Sequence, residues 1–222
     1  PLAKPTLVQI QLCPSINSEK ILWGKNVMED FIYINETALS KEVCEQIIEK
    51  FEGDDRKAPG LIGNSDNSSR IVKNSLKTSI DLYITDLEDW KDLDHIISKS
   101  VGENIQNYMD HCFEIFNKLD PTPNPFHNAK FDDHGYNVKS YEPGGYFHWH
   151  DDFVIDRKSP RMIAMLFYLN DVDGGETEFI SGKKVIPSTG KLVMFPSTWN
   201  CIHRGVTPNK GKKYIISAYL HQ

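Results

Sequence analysis

Between Tyr136 and His221 short apolar runs alternate with turn signals eight times, and this rhythm constrains the fold more than any other feature of the chain. The runs are Tyr136–Tyr141, Tyr146–His150, Arg161–Leu169, Glu176–Ile180, Lys184–Ile186, Lys191–Phe195, Cys201–Gly205 and Lys213–His221. Asp171-Val172-Asp173-Gly174-Gly175 and Pro187-Ser188-Thr189-Gly190 are the clearest turns between them. Closely spaced strands bounded by turn residues predict a β-sandwich or barrel. The last run adds a sense of direction. Tyr214, Ile216, Ala218 and Leu220 form one apolar face, which predicts core, while Lys213, Ile215, Ser217, Tyr219 and His221 face whatever the barrel encloses.

The preceding residues read differently. Ser40 is placed to cap a helix in which Val43, Cys44, Ile47, Ile48 and Phe51 recur at three- and four-residue spacing. A longer helical stretch runs from Asp86 to Lys118, with Trp90, Leu93, Ile96, Ile97, Val101, Ile105, Tyr108, Met109, Cys112 and Phe116 as its apolar stripe and Gly102 as a possible break or bend. Asp54–Ser69, rich in Asp, Asn, Gly and Ser, reads as a surface loop and a candidate lid. Ile80, Leu82 and Ile84 predict a strand, and the prolines of Asp120–Pro125 end the helical zone. Leu7–Ile10 and Phe31–Ile34 predict short edge strands. The expectation is one domain over 1–222, with strands and supporting helices in 1–130 and a β core in 131–222.

Composition narrows the function classes. At 39% hydrophobic and 11% aromatic residues, the chain can bury a core without disulfide or metal staples. Its four cysteines, Cys13, Cys44, Cys112 and Cys201, are far apart and contain no C-x-x-C pair. No stretch reaches the roughly 18 apolar residues of a membrane span, and the first residues lack the apolar run of a signal peptide. A cytoplasmic location is therefore expected, and the two sequons at Asn35 and Asn67 are read as chance. With 31 acidic against 25 basic residues and a net charge of -6, a nucleic-acid partner is not expected.

The chemistry concentrates in Tyr141-Glu142-Pro143-Gly144-Gly145-Tyr146-Phe147-His148-Trp149-His150-Asp151-Asp152. Residues two apart on a strand share a side, so His150 and Asp152 can present an imidazole and a carboxylate together. A third ligand must come from elsewhere, and downstream only His203 and His221 remain. Two His and one carboxylate on one face of an ion is the arrangement of non-haem Fe(II) oxygenases. An H-x-D pair alone also arises by chance, and His148 with His150 would suit a cupin-type or zinc site, for which close third and fourth ligands do not follow. His148 is read as a neighbour lining the entrance. Lys213 on the inward face needs an anionic partner, unless the strand is bent and leaves it in solvent.

Taken in order, Tyr141-x-x-Gly144, His150-x-Asp152, Arg161 through Tyr168-Leu169-Asn170-Asp171, Gly174-Gly175-Glu176-Thr177, and His203-x-Gly205 followed by Lys213 resemble a 2-oxoglutarate/Fe(II)-dependent dioxygenase of the prolyl 4-hydroxylase type. The resemblance covers about Tyr136 to His221. It implies an α+β protein with a double-stranded β-helix (jelly-roll) core, Fe(II) held by His150, Asp152 and His203, and 2-oxoglutarate held by Lys213 with Tyr141 and Tyr168 beside it. It implies O2 as co-reactant, ascorbate as reductant, and a prolyl residue of a peptide or protein as substrate, near Arg161, Tyr219 and His221. A buried core tyrosine is the alternative for Tyr168. Ala164 stands where relatives often carry a threonine, and Tyr219 where a tryptophan is common. Arg161 and Tyr168 differ in strand parity, so both face the site only if a bulge or a strand end intervenes.

Eight residues separate Lys213 from His221, about 26 Å at ~3.3 Å per residue. That span predicts that His221 reaches a bound peptide at the rim, the alternative being a frayed chain end. Two other functions compete: a 2-oxoglutarate oxygenase acting on a free amino acid or other small molecule, and a non-oxidative cupin-like metal protein. The sequence leaves the oligomeric state open.

Overall fold

A computed structural model describes residues 31–63, 70–119, 129–156 and 159–222. The expected strand at Leu7–Ile10, Cys13, the sequon at Asn67 and the Asp120–Pro125 segment lie outside the described residues. The strands are β1 (Tyr33–Asn35), β2 (Ala58–Pro59), β3 (Leu61–Gly63), β4 (Arg70–Val72), β5 (Ile80–Tyr83), β6 (Asp132–Tyr141), β7 (Phe147–His150) and β8 (Ile155–Asp156). They continue with β9 (Ser159–Tyr168), β10 (Asp173–Gly174), β11 (Thr177–Phe179), β12 (Lys184–Val185), β13 (Leu192–Pro196), β14 (His203–Gly205), β15 (Pro208–Lys210) and β16 (Lys213–His221). The helices are α1 (Lys41–Glu52) and α2 (Lys91–Leu119).

Two antiparallel sheets face each other. The major sheet runs β1-β13-β9-β16-β6-β5-β2, with β8 paired to β9, and the minor sheet runs β12-β11-β14-β7. This is the double-stranded β-helix of an α+β protein, and every strand read from the C-terminal sequence is present with ends moved by at most a few residues. Cys201 is the one displaced in kind. It closes a short 3-10 turn, Trp199–Cys201, and the strand starts at His203.

The parity of β16 divides the interior as the sequence predicts. Tyr214, Ile216, Ala218 and Leu220 join one buried cluster with Cys44, Ile47 and Phe51 of α1 and Ile97, Val101, Tyr108 and Cys112 of α2. Full burial of such side chains contributes roughly 1.5–3 kcal/mol each, which fixes the helices to the outer face of the major sheet. Ser40 accepts a hydrogen bond from the Val43 amide at 3.3 Å and so caps α1. Ile80, Leu82 and Ile84 also turn to this cluster. A second cluster, including Tyr141, Ala164, Leu166, Tyr168, Phe179, Phe195 and Ile215, fills the space between the sheets.

Two expectations need correction. Gly102 does not break α2, which continues through it with open space where a Cβ would stand. Of the Asp54–Ser69 segment, 64–69 lie outside the described residues, and the described part is not simply a loop. β2 pairs β5 at the edge of the major sheet, and β3 pairs β4 as a hairpin. The short polar run hid this because strands of two or three residues leave no alternation to detect. Asp54 itself is buried, bound by Arg56 and by the Trp90 indole N–H at 2.9 Å.

Candidate metal centre and its pocket

The inner face of the minor sheet carries three metal-ligand side chains. His203 on β14 lies opposite His150 on β7, and the register slips between that pair and Gly205 opposite Phe147. The slip places an extra residue on β7, a bulge that turns both Phe147 and His150 inward and leaves His148 exposed. The H-x-H pairing is thereby ruled out by geometry. His148 instead packs its ring on Tyr146, 4.7 Å away. Asp152 follows the end of β7, where its amide donates to the Ser197 carbonyl at 3.0 Å.

Ligand atoms of His150, Asp152 and His203 lie within 4.8 Å of one another. The His203 Nε2 stands 3.5 Å from Asp152 Oδ2, and the His150 Nε2 stands 3.9 Å from Asp152 Oδ1. Each imidazole has its Nδ1 against a carbonyl two residues earlier: His148 O at 2.7 Å for His150, and Cys201 O at 3.0 Å for His203. A carbonyl can only accept, so both Nδ1 atoms carry the proton and both Nε2 lone pairs point at the cluster. The rings are also wedged. Phe147 stacks on His150 at 3.6 Å, and Phe195 lies edge-on to His203 at 4.8 Å.

Burial and the neighbouring His203 push the His150 imidazole down to about 4, so it is neutral and able to ligate at neutral pH. Asp152 is held below the usual carboxylate range by the two imidazoles and by the Tyr219 hydroxyl, which donates to Oδ1 at 3.0 Å, against the opposing effect of burial. Two oriented nitrogen donors and an ionised carboxylate fit a divalent iron with open positions, and among the described residues the cluster has no fourth ligand of the kind that closes a structural zinc site.

Beside this cluster the two sheets enclose a pocket lined by Tyr141, Thr177, Lys213, Ile215, Ser217 and Tyr219. Lys213 is 3% exposed, and its ammonium lies 5.8 and 5.4 Å from the ring centres of Tyr141 and Tyr168. Among the described residues no carboxylate forms an ion pair with it. Burial pulls it down to about 8, with Glu176 the only opposing charge. An unpaired buried cation at a pocket wall is costly.

The structure sorts the other expected residues. Tyr141 lines the pocket, and burial raises its hydroxyl far above the usual phenol range. Tyr168 stands one layer back. It donates to Thr177 Oγ1 at 2.6 Å, and Thr177 is the residue that reaches the pocket. Thr177 was not assigned to the pocket from sequence, although it directly follows the Gly174-Gly175-Glu176 run at the start of β11. Arg161 is brought over the pocket residue Tyr219 where the β9–β16 register shifts between Leu220 and His221, adding a residue on β9. Its guanidinium covers the Tyr219 ring at 3.9 Å.

His221 lies apart from the pocket lining. It is 1% exposed, stacked on His134 at 3.7 Å, with Nδ1 3.2 Å from the Ser159 carbonyl. The same end of β16 slips against β6 between Ala218 and Leu220, with the extra residue on β6, so the pairing around His221 is irregular although Leu220 keeps to the core face. The strand end is paired on both sides, which removes the frayed-end alternative as well.

Comparison with known proteins agrees with this geometry. Residues 136–221 match the model of the 2OG-Fe(II) oxygenase superfamily. The fold is similar to a viral collagen prolyl hydroxylase from Paramecium Bursaria Chlorella virus-1, solved with 2OG, at 19% identity and a TM-score of 0.62, over 88% of this chain and 98% of that one. It is similar to a Trichoplax adhaerens prolyl hydroxylase, solved with a hypoxia inducible factor peptide fragment, at 18% identity and a TM-score of 0.65, over 88% and 86%. A Pseudomonas putida prolyl-4-hydroxylase aligns at 18% identity and a TM-score of 0.53, over 88% and 97%. No curated protein matches the chain in sequence.

Proposed function

We propose that this 2OG-Fe(II) oxygenase fold hydroxylates a prolyl residue in a peptide or protein, converting 2-oxoglutarate and O2 to succinate and CO2, with ascorbate as reductant. The observation that carries the reading is the meeting, in one pocket, of an oriented His150–Asp152–His203 set with an unpaired buried lysine. Iron bound there supplies the redox chemistry that couples decarboxylation of the keto acid to oxygen insertion into a C–H bond. The protein supplies position.

Lys213 is assigned the far carboxylate of 2-oxoglutarate, an anion that relieves its burial cost through a charge-assisted bond. Thr177 is assigned to the same carboxylate. Because Tyr168 donates to Thr177 Oγ1, the threonine keeps its own hydrogen to donate forward. Tyr219 fixes Asp152 through its hydroxyl and presents its ring to the substrate side. Arg161 covers that ring, and its Nε is buried with no hydrogen-bond partner among the described residues, a donor suited to a peptide carbonyl. His221 is left out of the substrate contacts.

Two prolyl hydroxylases among the similar folds bear on the substrate: one is a collagen prolyl hydroxylase and one was solved with a peptide. Mass spectrometry of proline-containing peptides after turnover tests the reading. A gain of one oxygen on proline, matched by succinate, is expected. Oxygen gained by free proline but by no peptide would move the function to a small-molecule oxygenase.

A further inference from the structure

The pocket wall holds a second cationic group besides Lys213. Lys139 on β6 is buried and lines the pocket. Its ammonium donates to Asp81 Oδ2 at 2.7 Å, its one hydrogen-bond partner among the described residues. Lys77, also buried, donates to the same Oδ2 at 2.7 Å. The other oxygen, Oδ1, accepts from Ser79 at 2.5 Å. Gly60 closes over this group so tightly that a Cβ there would stand 2.7 Å from the Lys77 nitrogen and 2.3 Å from Ser79 Oγ.

Charge arithmetic makes the group conspicuous. Iron(II) contributes +2, Asp152 −1, 2-oxoglutarate −2 and Lys213 +1, so the loaded centre is neutral. Lys77 and Lys139 contribute +2 against −1 from Asp81, which leaves one positive charge buried beside the pocket. Two ammoniums sharing one carboxylate oxygen also repel each other, and burial together with Lys139 pulls Lys77 down to about 8. A core that needed only structural pairing would be satisfied by one lysine. The surplus cation is the one whose side chain meets the pocket.

We propose that Lys139, backed by Lys77 and Asp81, is a specificity-determining site for a carboxylate carried by the molecule being hydroxylated. The carboxylate is either an acidic side chain next to the target proline or the α-carboxylate of a small substrate. The inference rests on the oxygenase reading for the location of the substrate. Asp81 holds both lysines in place and leaves Lys139 two N–H donors for the incoming group.

Paired probes test the site. They are a pentapeptide with glutamate before proline, one with glutamate after it, their glutamine counterparts, and L-proline with L-prolinamide. Binding is measured by calorimetry with Fe(II) and 2-oxoglutarate present and oxygen excluded, on the wild type, Lys139→Gln and Lys139→Arg. At least one acidic probe should bind the wild type about tenfold or more tightly than its amide, as expected for a hydrogen bond to a charged group. Lys139→Gln should lose that preference with the affinity for 2-oxoglutarate unchanged, and Lys139→Arg, which keeps the charge, should retain it in part. A preference for the glutamate peptides marks a side-chain carboxylate, and one for L-proline alone marks an α-carboxylate. No charge selectivity in the wild type, selectivity that survives Lys139→Gln, or a loss of 2-oxoglutarate binding in its place overturns the assignment. Charge-selective binding without hydroxylation of any probe would refute the prolyl reading and leave this site standing.

Discussion

At the scale of single residues, Lys213 carries opposite consequences for stability and for binding. In the absence of an anion its buried charge is uncompensated, so Lys213→Met should stabilise the cosubstrate-free protein by about 0.5–2 kcal/mol. The same variant should raise the 2-oxoglutarate requirement about 10- to 150-fold, the equivalent of roughly 1.5–3 kcal/mol for a charged hydrogen bond. Thermal melting and succinate kinetics measure the two effects. A variant that loses both stability and binding would show that Lys213 serves the fold. The lysine also sets a pH dependence. Its folded value lies near 8 and its ordinary value at 10.5, so the unfolded chain holds the proton more tightly between those limits. This group therefore adds stability as pH rises from about 8 to 10.5, while affinity for 2-oxoglutarate falls as the ammonium deprotonates. Affinity that stays flat across pH 8 to 10 would contradict the pairing. Thr177→Val removes the proposed second donor without changing shape, and it should weaken cosubstrate binding while leaving the affinity for Fe(II) as it was.

At the scale of elements, parity made part of the site legible in the sequence. Lys213, Ile215, Ser217 and Tyr219 could be assigned to the pocket because β16 is regular over that span and apolar residues fill its other face. Parity failed where bulges intervene, on β7 at His148, on β9 before Ile163 and on β6 opposite the end of β16, because a bulge is set by tertiary packing and leaves little trace in composition. The Lys77–Asp81–Lys139 group escaped notice for a different reason. Lys139 shares the face of Tyr141 and was readable, but its partners sit on β5 and the segment before it, about 60 residues upstream. Two substitutions check the elements themselves. Ser40→Ala should cost about 0.5–2 kcal/mol by removing the cap of α1. Gly190→Ala should cost on the order of 1–3 kcal/mol at least, since Gly190 has a φ of +83° and a Cβ there would stand 2.1 Å from the Leu39 carbonyl oxygen. Chemical denaturation of both variants gives the values, and a neutral Gly190→Ala would contradict the close approach of the β12–β13 turn to Leu39, just ahead of α1.

At the scale of the whole molecule, the fold divides labour between its two sheets. The major sheet is clamped by α1 and α2 on its outer face and supplies Lys213, Lys139, Tyr141 and Tyr219 from its inner one. The minor sheet supplies His150 and His203, with Asp152 at the end of its edge strand. The pocket beside the metal cluster therefore forms only when the sheets close, yet the metal ligands contribute little to holding them together. A buried carboxylate beside two imidazoles is no net gain in stability without its metal. The measurement that tests this account most directly is succinate release from 2-oxoglutarate by the wild type and by His150→Ala, Asp152→Ala and His203→Ala, with and without Fe(II). The wild type should release succinate only with Fe(II), and each variant should release none while melting within a few degrees of the wild type. Normal release by any of the three variants, or release by the wild type with zinc alone, would contradict the iron centre.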